Sequence, residues 1–579
     1  MSKKQGQGFG VYAAQSGKQL RLTMQELWLT GTVLPVGARL VVRHTFQSQE
    51  KKPLEAVYAF ALPRDAAMRR FRIVGEGFNV ESALKPTEEA RQAYEEGLEG
   101  GHLSALAQQY GDGLVNLNVG NIRPMETVTV YIEIAAGVAC TDTGFRFRFP
   151  FTLAPGYHPR AAYGTTEEGE GEIMLPEEIF GDIILPPWRQ DARELHRVGF
   201  DLNLALDSDT LEIASPSHSI SVQQRPGGPA RVSLATEADI PDRDLVLEAK
   251  YTLNEPAVFA GLDASGKARF AAVVPSTCFG PVPDTPKRLV FLIDHSGSME
   301  GKPFEQAKRA TLACIGALRP EDRFGIVFFE NSITVFPAGC TAADQEHRDA
   351  ARAFVNSMET AGGTELSAGI HEAAELLPEG GDILLLTDGQ VYETETIITR
   401  ARKAGVRVHC LGIGSASQDR FLALLARKTG GSSHFATPRE RVDEAALRLF
   451  NAIGAPAAEE VSCEIAGVKQ AVFAPDLPEL VRVNEPLLIF GSCTGSDNGN
   501  LQLSWKGGSR TIHIPFPVMQ EQQASPAPDV SSASGTHVPL GETLKLVQGA
   551  RITTDLETLD TDAPETRRAT ERQRKRQEK

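Results

Sequence analysis

The clearest structural signal lies in residues 288–298, which read Arg-Leu-Val-Phe-Leu-Ile-Asp-His-Ser-Gly-Ser. After Arg288 this segment is an unbroken apolar run as far as Ile293, which predicts a strand that is buried on both faces of a parallel sheet. Such a strand belongs to an α/β domain, because helices must cover both faces of the sheet. The polar residues that follow begin a loop at the carboxyl end of this strand.

More apolar runs follow at helix-sized intervals. They lie at 324–329, 383–387 and 406–411, and helical segments separate them, beginning with one at about 304–318. Strands that alternate with helices of this length predict a doubly wound, Rossmann-like α/β domain. The proline-rich segment 281–286 marks the boundary before it.

The rest of the sequence is mostly β-rich. At 579 residues the chain is too long for one hydrophobic core, so several domains are expected. Strand-like alternation at 40–46 and 128–134 flanks a helix start at 86–94. The predicted divisions are a flexible N-terminus at 1–15, a β-rich domain at 16–140, a β-rich segment and linker at 141–286, the α/β domain at 287–453, a C-terminal β segment at 454–519, and a linker with a disordered charged tail at 520–579.

Charge and composition narrow the possible functions. Asp plus Glu number 75 against 59 Lys plus Arg, and the net charge of −16 disfavours nucleic-acid binding by long-range repulsion. The sequence has no signal-peptide core and no run of about 18 apolar residues that could span a membrane. Its seven cysteines are scattered and form no Cys-x-x-Cys pattern, as expected of reduced thiols. We therefore expect a cytoplasmic protein with no nucleic-acid partner and no membrane span.

Oxygen-bearing side chains follow the predicted strands of the α/β domain. Asp294, Ser296 and Ser298 follow the first strand, Thr364 precedes a helix, and Asp388 ends a later strand. In open α/β sheets, ligands bind beyond the carboxyl ends of the strands, so these side chains should lie together. Hydroxyl and carboxylate oxygens suit Mg²⁺, which also retains some of its waters. The sequence therefore predicts a site for Mg²⁺, or for Mn²⁺ or Ca²⁺, formed by these five residues.

The same five residues resemble the metal-ion-dependent adhesion site of von Willebrand factor type A domains. The resemblance implies that Ser296, Ser298 and Thr364 touch the ion directly, whereas Asp294 and Asp388 act largely through water. It also implies that a partner protein supplies an acidic side chain to complete the octahedron. Since this is binding without a reaction, the sequence predicts no catalytic residues and no enzyme activity.

A second resemblance covers the N-terminal region. Residues 53–63, 89–94 and 119–124 resemble the VIT domain, named from vault protein and inter-alpha-trypsin inhibitor. This order of domains is similar to the inter-alpha-trypsin inhibitor heavy chains, and it implies that the flanking β segments pair as a sandwich around the α/β domain. Secreted heavy chains carry a signal peptide and an Asp-Pro-His-Phe sequence, and neither is found here. A bacterial or intracellular relative, without hyaluronan transfer, is therefore the closer match.

The leading interpretation is a metal-dependent scaffold or adaptor, and two alternatives stay open. Type A domains also act as non-catalytic partners of AAA+ ATPases of the MoxR or magnesium-chelatase kind. An open magnesium position can also activate water in a hydrolase, and Glu365 is then the candidate base. A phosphate loop at 297–302 is rejected because Pro303 stands where Ser or Thr should bind magnesium.

Overall fold

The structure of the 579-residue chain is a computed structural model. It describes residues 12–13, 22–48, 51, 54–76, 78–81, 87–100, 104–109, 114–151, 164–166, 169–171, 196–206, 211–224, 229–241, 243–389, 391, 394–414, 419–437, 440–494, 499–515 and 539–556. Among these residues, no helix is both long and apolar enough to cross a membrane.

Residues 12–250 form a β-rich unit, here called the N-terminal β body. Its elements are β1 (Tyr12–Ala13), β2 (Leu22–Leu34), β3 (Gly37–Ser48), β4 (Leu54–Ala61), β5 (Ala67–Gly75), β6 (Phe78–Glu81), α1 (Thr87–Glu99), β7 (Ser104–Gln109), β8 (Leu114–Ile122), β9 (Thr127–Ala136), β10 (Ala139–Thr141), β11 (Gly144–Phe149), β12 (Gly164–Thr166), β13 (Gly169–Gly171), β14 (Arg197–Leu204), β15 (Glu212–Ala214), β16 (Ile220–Gln223), β17 (Ala230–Leu234) and β18 (Leu245–Lys250). The predicted helix near residues 86–94 is confirmed by α1.

The largest sheet of the N-terminal β body joins segments that are far apart in sequence. Its strand order is β16-β17-β14-β2-β3-β9-β5-β6, and β14 runs parallel to β2. Strands from the predicted 141–286 segment therefore complete a sheet that starts near residue 22. Side chains of β3 alternate between buried and half-buried positions, as the sequence pattern of 40–46 predicted. Leu40, Ile132 and Phe200 all lie in one continuous core.

Two strands and the α/β domain follow in the chain. The strands are β19 (Ala257–Leu262) and β20 (Ala268–Val274). The α/β domain contains β21 (Arg288–Asp294), α2 (Lys302–Ala317), β22 (Arg323–Phe329), β23 (Ile333–Val335), β24 (Thr341–Ala342), α3 (Gln345–Ser357), α4 (Leu366–Glu375), β25 (Asp382–Thr387), α5 (Thr394–Lys403), β26 (Arg407–Ile413), α6 (Asp419–Thr429), β27 (Ser433–Ala436) and α7 (Val442–Ala452).

The α/β domain is doubly wound, as its sequence predicted. The strand order is β23-β22-β21-β25-β26-β27, and β21 runs parallel to both β22 and β25. Phe291 and Ile293 of β21 enter the core on one face of the sheet, while Val290 and Leu292 enter the core on the other. The chain leaves β21 in one direction to reach β22 and later returns to its other side as β25. The topological switch point therefore lies between β21 and β25.

Helix α6 connects the α/β domain to the N-terminal β body. Its residues 419–426 are all buried, whereas a surface helix buries only one stripe. Phe421 and Leu425 pack into a core of the α/β domain, and the Arg420 guanidinium donates to the Ala66 carbonyl oxygen over 2.7 Å. The helix is buried all round because both units pack against it.

The C-terminal region returns to strands and ends in a helix. Its elements are β28 (Ala458–Glu459), β29 (Ser462–Ala466), β30 (Lys469–Phe473), β31 (Leu480–Val481), β32 (Leu487–Thr494), β33 (Gly499–Trp505), β34 (Gly508–Ile514) and α8 (Leu540–Leu556). Strand β32 pairs antiparallel with β20, from Val274 opposite Leu487 to Ala268 opposite Cys493. The expected pairing of β segments around the α/β domain is thus confirmed.

Helix α8 corrects the prediction for the end of the chain. The sequence assigned 520–579 to a linker and a disordered tail, but residues 540–556 form a helix with Leu544 and Val547 buried against Leu34 and Ala271. The helix touches strands of the N-terminal β body and also β19 and β20, so its buried positions are spread around its surface. A one-sided apolar stripe, the usual sequence signal for a helix, is therefore missing. The rest of the predicted linker and tail, 520–538 and 557–579, lies outside the described residues.

Candidate metal centre

The predicted loops that carry Asp294 and Asp388 begin at neighbouring strand ends. Strands β21 and β25 are parallel, with Ile293 opposite Leu386, so Asp294 and Thr387 end their strands side by side. Asp388 comes directly after Thr387 and is buried. Both loops therefore leave the carboxyl edge of the sheet at its topological switch point, which is where ligands of such sheets bind.

Asp294 is fully buried and held in place by two hydrogen bonds. Its Oδ2 accepts from the Thr387 hydroxyl at 2.6 Å, and its Oδ1 accepts from the Ser296 backbone N–H at 2.9 Å. Burial raises the pKa of Asp294, and these hydrogen bonds partly oppose that rise. A nearby cation would also lower the pKa of Asp294, because it favours the ionised carboxylate.

The two serine hydroxyls lie at a distance that suits a hexacoordinate ion. The Oγ atoms of Ser296 and Ser298 are 3.1 Å apart. Two neighbouring ligands of an octahedral Mg²⁺, each about 2.1 Å from the ion, are separated by about 3.0 Å. Ser296 is buried and Ser298 is half-buried, so the pair is reachable from one side. The hydroxyl pair therefore fits adjacent positions of a magnesium coordination sphere.

The loop that carries Thr364 is bonded directly to the serine loop. The backbone N–H of Gly297 donates to the Gly362 carbonyl oxygen over 3.1 Å. Gly362 has a φ of +49°, and a Cβ at this position would lie only 1.8 Å from Oε2 of Glu330. The positive φ and the nearby Glu330 carboxylate both favour glycine at position 362. Thr364 follows two residues later and is half-buried, as Ser298 is.

The donor set as a whole fits a hard cation. It combines hydroxyls from three residues with the carboxylates of Asp294 and Asp388. Within the described part of the chain, no three His, Cys, Asp or Glu residues are grouped so that they could hold a metal ion. Oxygen ligands with few anionic groups are characteristic of Mg²⁺ sites that keep water or an external ligand. The structure brings Asp294, Ser296 and Ser298 into direct contact and places the Asp388 and Thr364 loops beside them, and the five-residue metal site remains a prediction.

Sequence reasoning missed two residues that support this centre. Thr387 donates to Asp294, and its Oγ1 also accepts from the Gly389 N–H at 2.8 Å. Glu330 accepts at its backbone oxygen from the N–H of Glu365 over 2.7 Å, which fixes the residue after Thr364. The position of Thr387 at the end of an apolar strand could have revealed its role. Nothing in the sequence around Glu330 indicates one.

Two family models match the chain. One is described as "Vault protein inter-alpha-trypsin domain" and covers residues 24–134, and the other as "von Willebrand factor type A domain" and covers residues 287–435. The chain therefore carries a VIT domain followed by a von Willebrand factor type A domain. The first match lies in the N-terminal β body and the second in the α/β domain.

Curated relatives share this pair of domains at low identity. Von Willebrand factor A domain-containing protein 5A of Rattus norvegicus is 23% identical over 83% of this chain, and its Homo sapiens counterpart is 24% identical over 84%. The chain matches 60% and 64% of the lengths of these relatives. A solved von Willebrand factor type A structure from Catenulispora acidiphila is 18% identical with a TM-score of 0.35, covering 53% of this chain and 82% of its own.

Proposed function

We propose that this protein is a non-catalytic scaffold or adaptor that binds a partner protein through a divalent metal ion at Asp294, Ser296, Ser298, Thr364 and Asp388. The observation that carries the proposal is the 3.1 Å separation of the Ser296 and Ser298 hydroxyls beside the buried Asp294 carboxylate. Type A domains as a class mediate protein interactions, and the metal dependence is our inference for this chain.

The chemistry of the donor set explains why such an ion would bind a partner. Mg²⁺ at this site, or Mn²⁺ or Ca²⁺ in its place, would act as a Lewis acid toward an external oxygen. Neutral hydroxyls leave much of the ion's charge uncompensated, and Ser298 and Thr364 are accessible from the surface. An acidic side chain of a partner is the ligand that best supplies the missing negative charge. We place the protein in the cytoplasm because its scattered cysteines fit a reducing compartment.

A pull-down with the full chain as bait tests this proposal. It compares 1 mM Mg²⁺, excess EDTA, and a Ser298→Ala variant in Mg²⁺, with bound proteins identified by mass spectrometry. Ser298 is preferable to Asp294 because removing a buried, doubly hydrogen-bonded carboxylate also disturbs folding. Ser357→Ala, an exposed serine at the end of α3, is the matched control.

We expect specific partners to be lost in EDTA and with Ser298→Ala, and retained with Ser357→Ala. Acidic-to-amide substitutions in a recovered partner should then locate the ligating carboxylate. Partners that are retained equally in Mg²⁺, in EDTA and with Ser298→Ala would disprove metal-dependent binding.

A further inference from the structure

His295, between the first two predicted ligands, makes hydrogen bonds to two separate elements. Its backbone N–H donates to the Phe329 carbonyl oxygen at the end of β22 over 3.1 Å. Its own carbonyl oxygen accepts from the Ala361 N–H at 2.8 Å, and its ring Nδ1 lies 2.8 Å from the Glu359 carbonyl oxygen. The residue therefore holds the loop before Thr364 at two points.

Aromatic packing fixes the orientation of the His295 ring. The ring is 5% exposed and lies edge-on to Phe328 of β22, with centroids 5.7 Å apart and planes at 81°. Phe304 of α2 covers it at 6.4 Å with a tilt of 31°. Since a carbonyl oxygen can only accept, the Glu359 contact requires the proton on Nδ1. The Nδ1 edge of the ring is thus directed at the loop that carries Thr364.

Thr364 is the one predicted hydroxyl ligand that does not belong to the serine loop. Its position relative to Ser296 and Ser298 depends on the hydrogen bonds between the two loops. Three hydrogen bonds join the described parts of these loops: two between backbone atoms, at Gly297 and His295, and one from the His295 ring. Only the bond from the ring depends on the identity of a side chain. The His295 side chain is therefore a part of this connection that a substitution can remove while the backbone hydrogen bonds stay in place.

We infer that His295 is a positioning residue of the metal centre, which sets the distance of Thr364 from the serine hydroxyls through its Nδ1–H bond to Glu359. The inference rests on the proposed function, since it assumes that the centre holds a divalent ion. Partners of metal ligands typically contribute about 10–100-fold to metal affinity. His295 acts through the loop that carries Thr364 and not on a ligand directly, so a contribution at the lower end of that range, about 10-fold, is expected.

Isothermal titration of the full chain with Mg²⁺ tests this inference. Three variants separate hydrogen bonding from packing. His295→Phe keeps the aromatic packing without a donor, His295→Asn keeps an N–H donor at the place of Nδ1, and His295→Gln moves that donor one methylene further. His371→Asn, an exposed histidine on α4, is the matched control. The melting temperature of each variant is also measured in EDTA, so that stability without metal is known.

We expect Mg²⁺ binding to weaken roughly 10-fold in His295→Phe and His295→Gln, and to stay near wild type in His295→Asn and His371→Asn. Equal Mg²⁺ affinity of all variants would overturn the inference and leave the proposed function intact. A lower melting temperature in EDTA without a change in affinity would also overturn it, because His295 would then be purely structural. A wild-type chain that binds no Mg²⁺, Mn²⁺ or Ca²⁺ would overturn the proposed function itself, and this inference with it.

Discussion

Arg427 of the type A domain and Asp65 of the VIT domain form an ion pair of 2.7 Å across the boundary between the two domains. Arg427 also donates to Asp555 of α8 over 2.9 Å, so one guanidinium joins three parts of the chain. Burial alone would raise the pKa of Asp65, but the charges of Arg427, Arg551 and Arg64 lower it well below its usual range. One ionised pair thus connects the two domains, and the same guanidinium reaches α8.

Replacing Asp65 should destabilise the whole chain. Asp65→Asn leaves the half-buried Arg427 with one carboxylate in place of two, and because Asp65 itself is buried the loss should be about 1–3 kcal/mol. Urea denaturation monitored by circular dichroism measures the loss. Asp349→Asn, which removes an exposed pair with Arg352 on α3, should have little effect. Equal stability of the two variants would show that the interdomain pair contributes nothing.

Buried histidines of the N-terminal β body should make the protein sensitive to acid. Burial lowers the pKa of His44 to about 3, with a further contribution from His196, whose own pKa burial lowers to about 4. In the unfolded chain these two histidines have a pKa near 6.5. Between pH 6.5 and about 4 the unfolded state thus binds more protons, and the free energy of unfolding falls as pH falls, by up to about 1.4 kcal/mol per pH unit for each histidine.

The variant His44→Phe should reduce this dependence on pH. The ring of His44 already lies 5.8 Å from that of Phe60, so an aromatic replacement suits the site. Melting temperatures at intervals from pH 7 to 4 should fall less steeply in His44→Phe than in wild type. His513→Phe, at an exposed position on β34, should keep the wild-type slope. Identical slopes in all three proteins would exclude His44 as a source of acid sensitivity.

Magnesium should stabilise the folded chain if the centre binds it. A ligand at 100 times its Kd stabilises by about 2.7 kcal/mol, which raises the melting temperature measurably. We expect this rise to be lost in Ser298→Ala, while the melting temperature in EDTA stays at the wild-type value because Ser298 is half-buried. Differential scanning calorimetry with and without Mg²⁺ measures both quantities. A full magnesium-dependent rise in Ser298→Ala would remove this hydroxyl from the centre.

Two glycines of α8 should respond in opposite directions to the same substitution. A Cβ on Gly541 would lie 2.4 Å from the backbone carbonyl group of Leu262, whereas a Cβ on Gly549 would meet nothing within 4 Å. Gly541→Ala should therefore destabilise by about 1–3 kcal/mol through overpacking. Gly549→Ala should stabilise by about 0.5–1 kcal/mol, because alanine is the better helix former. Urea denaturation measures both, and a loss of stability in Gly549→Ala would contradict the packing of α8.

Local patterns predicted the type A domain well. The apolar run ending at Ile293 forms a strand buried on both faces, and the strand ends place Asp294 beside Thr387. These features depend on hydrophobic periodicity and on the parallel order of the strands, and both can be predicted from short segments of sequence. The metal itself remains a prediction.

Long-range contacts could not be read from the sequence. The packing of α8 depends on surfaces from two distant units, and the tie from His295 to Glu359 depends on how a loop 64 residues further along folds back. Neither produces a periodic pattern. The burial of residues 419–426 of α6 has the same origin, since Arg420 looks like an ordinary surface residue until the VIT domain packs against it.

The pairing of β20 with β32 has a consequence for folding during synthesis on the ribosome. At the ~5–20 residues per second of translation, the roughly 210 residues between Val274 and Leu487 take on the order of 10–40 s to be made. During that interval the edge of β20 that β32 will cover is open, and its residues Phe270, Ala272 and Val274 have only part of their final core. An open apolar edge of this kind attracts other chains. The type A domain is thus synthesised while β20 is still unpaired on this edge. We expect binding of a chaperone during this interval to protect the chain from aggregation.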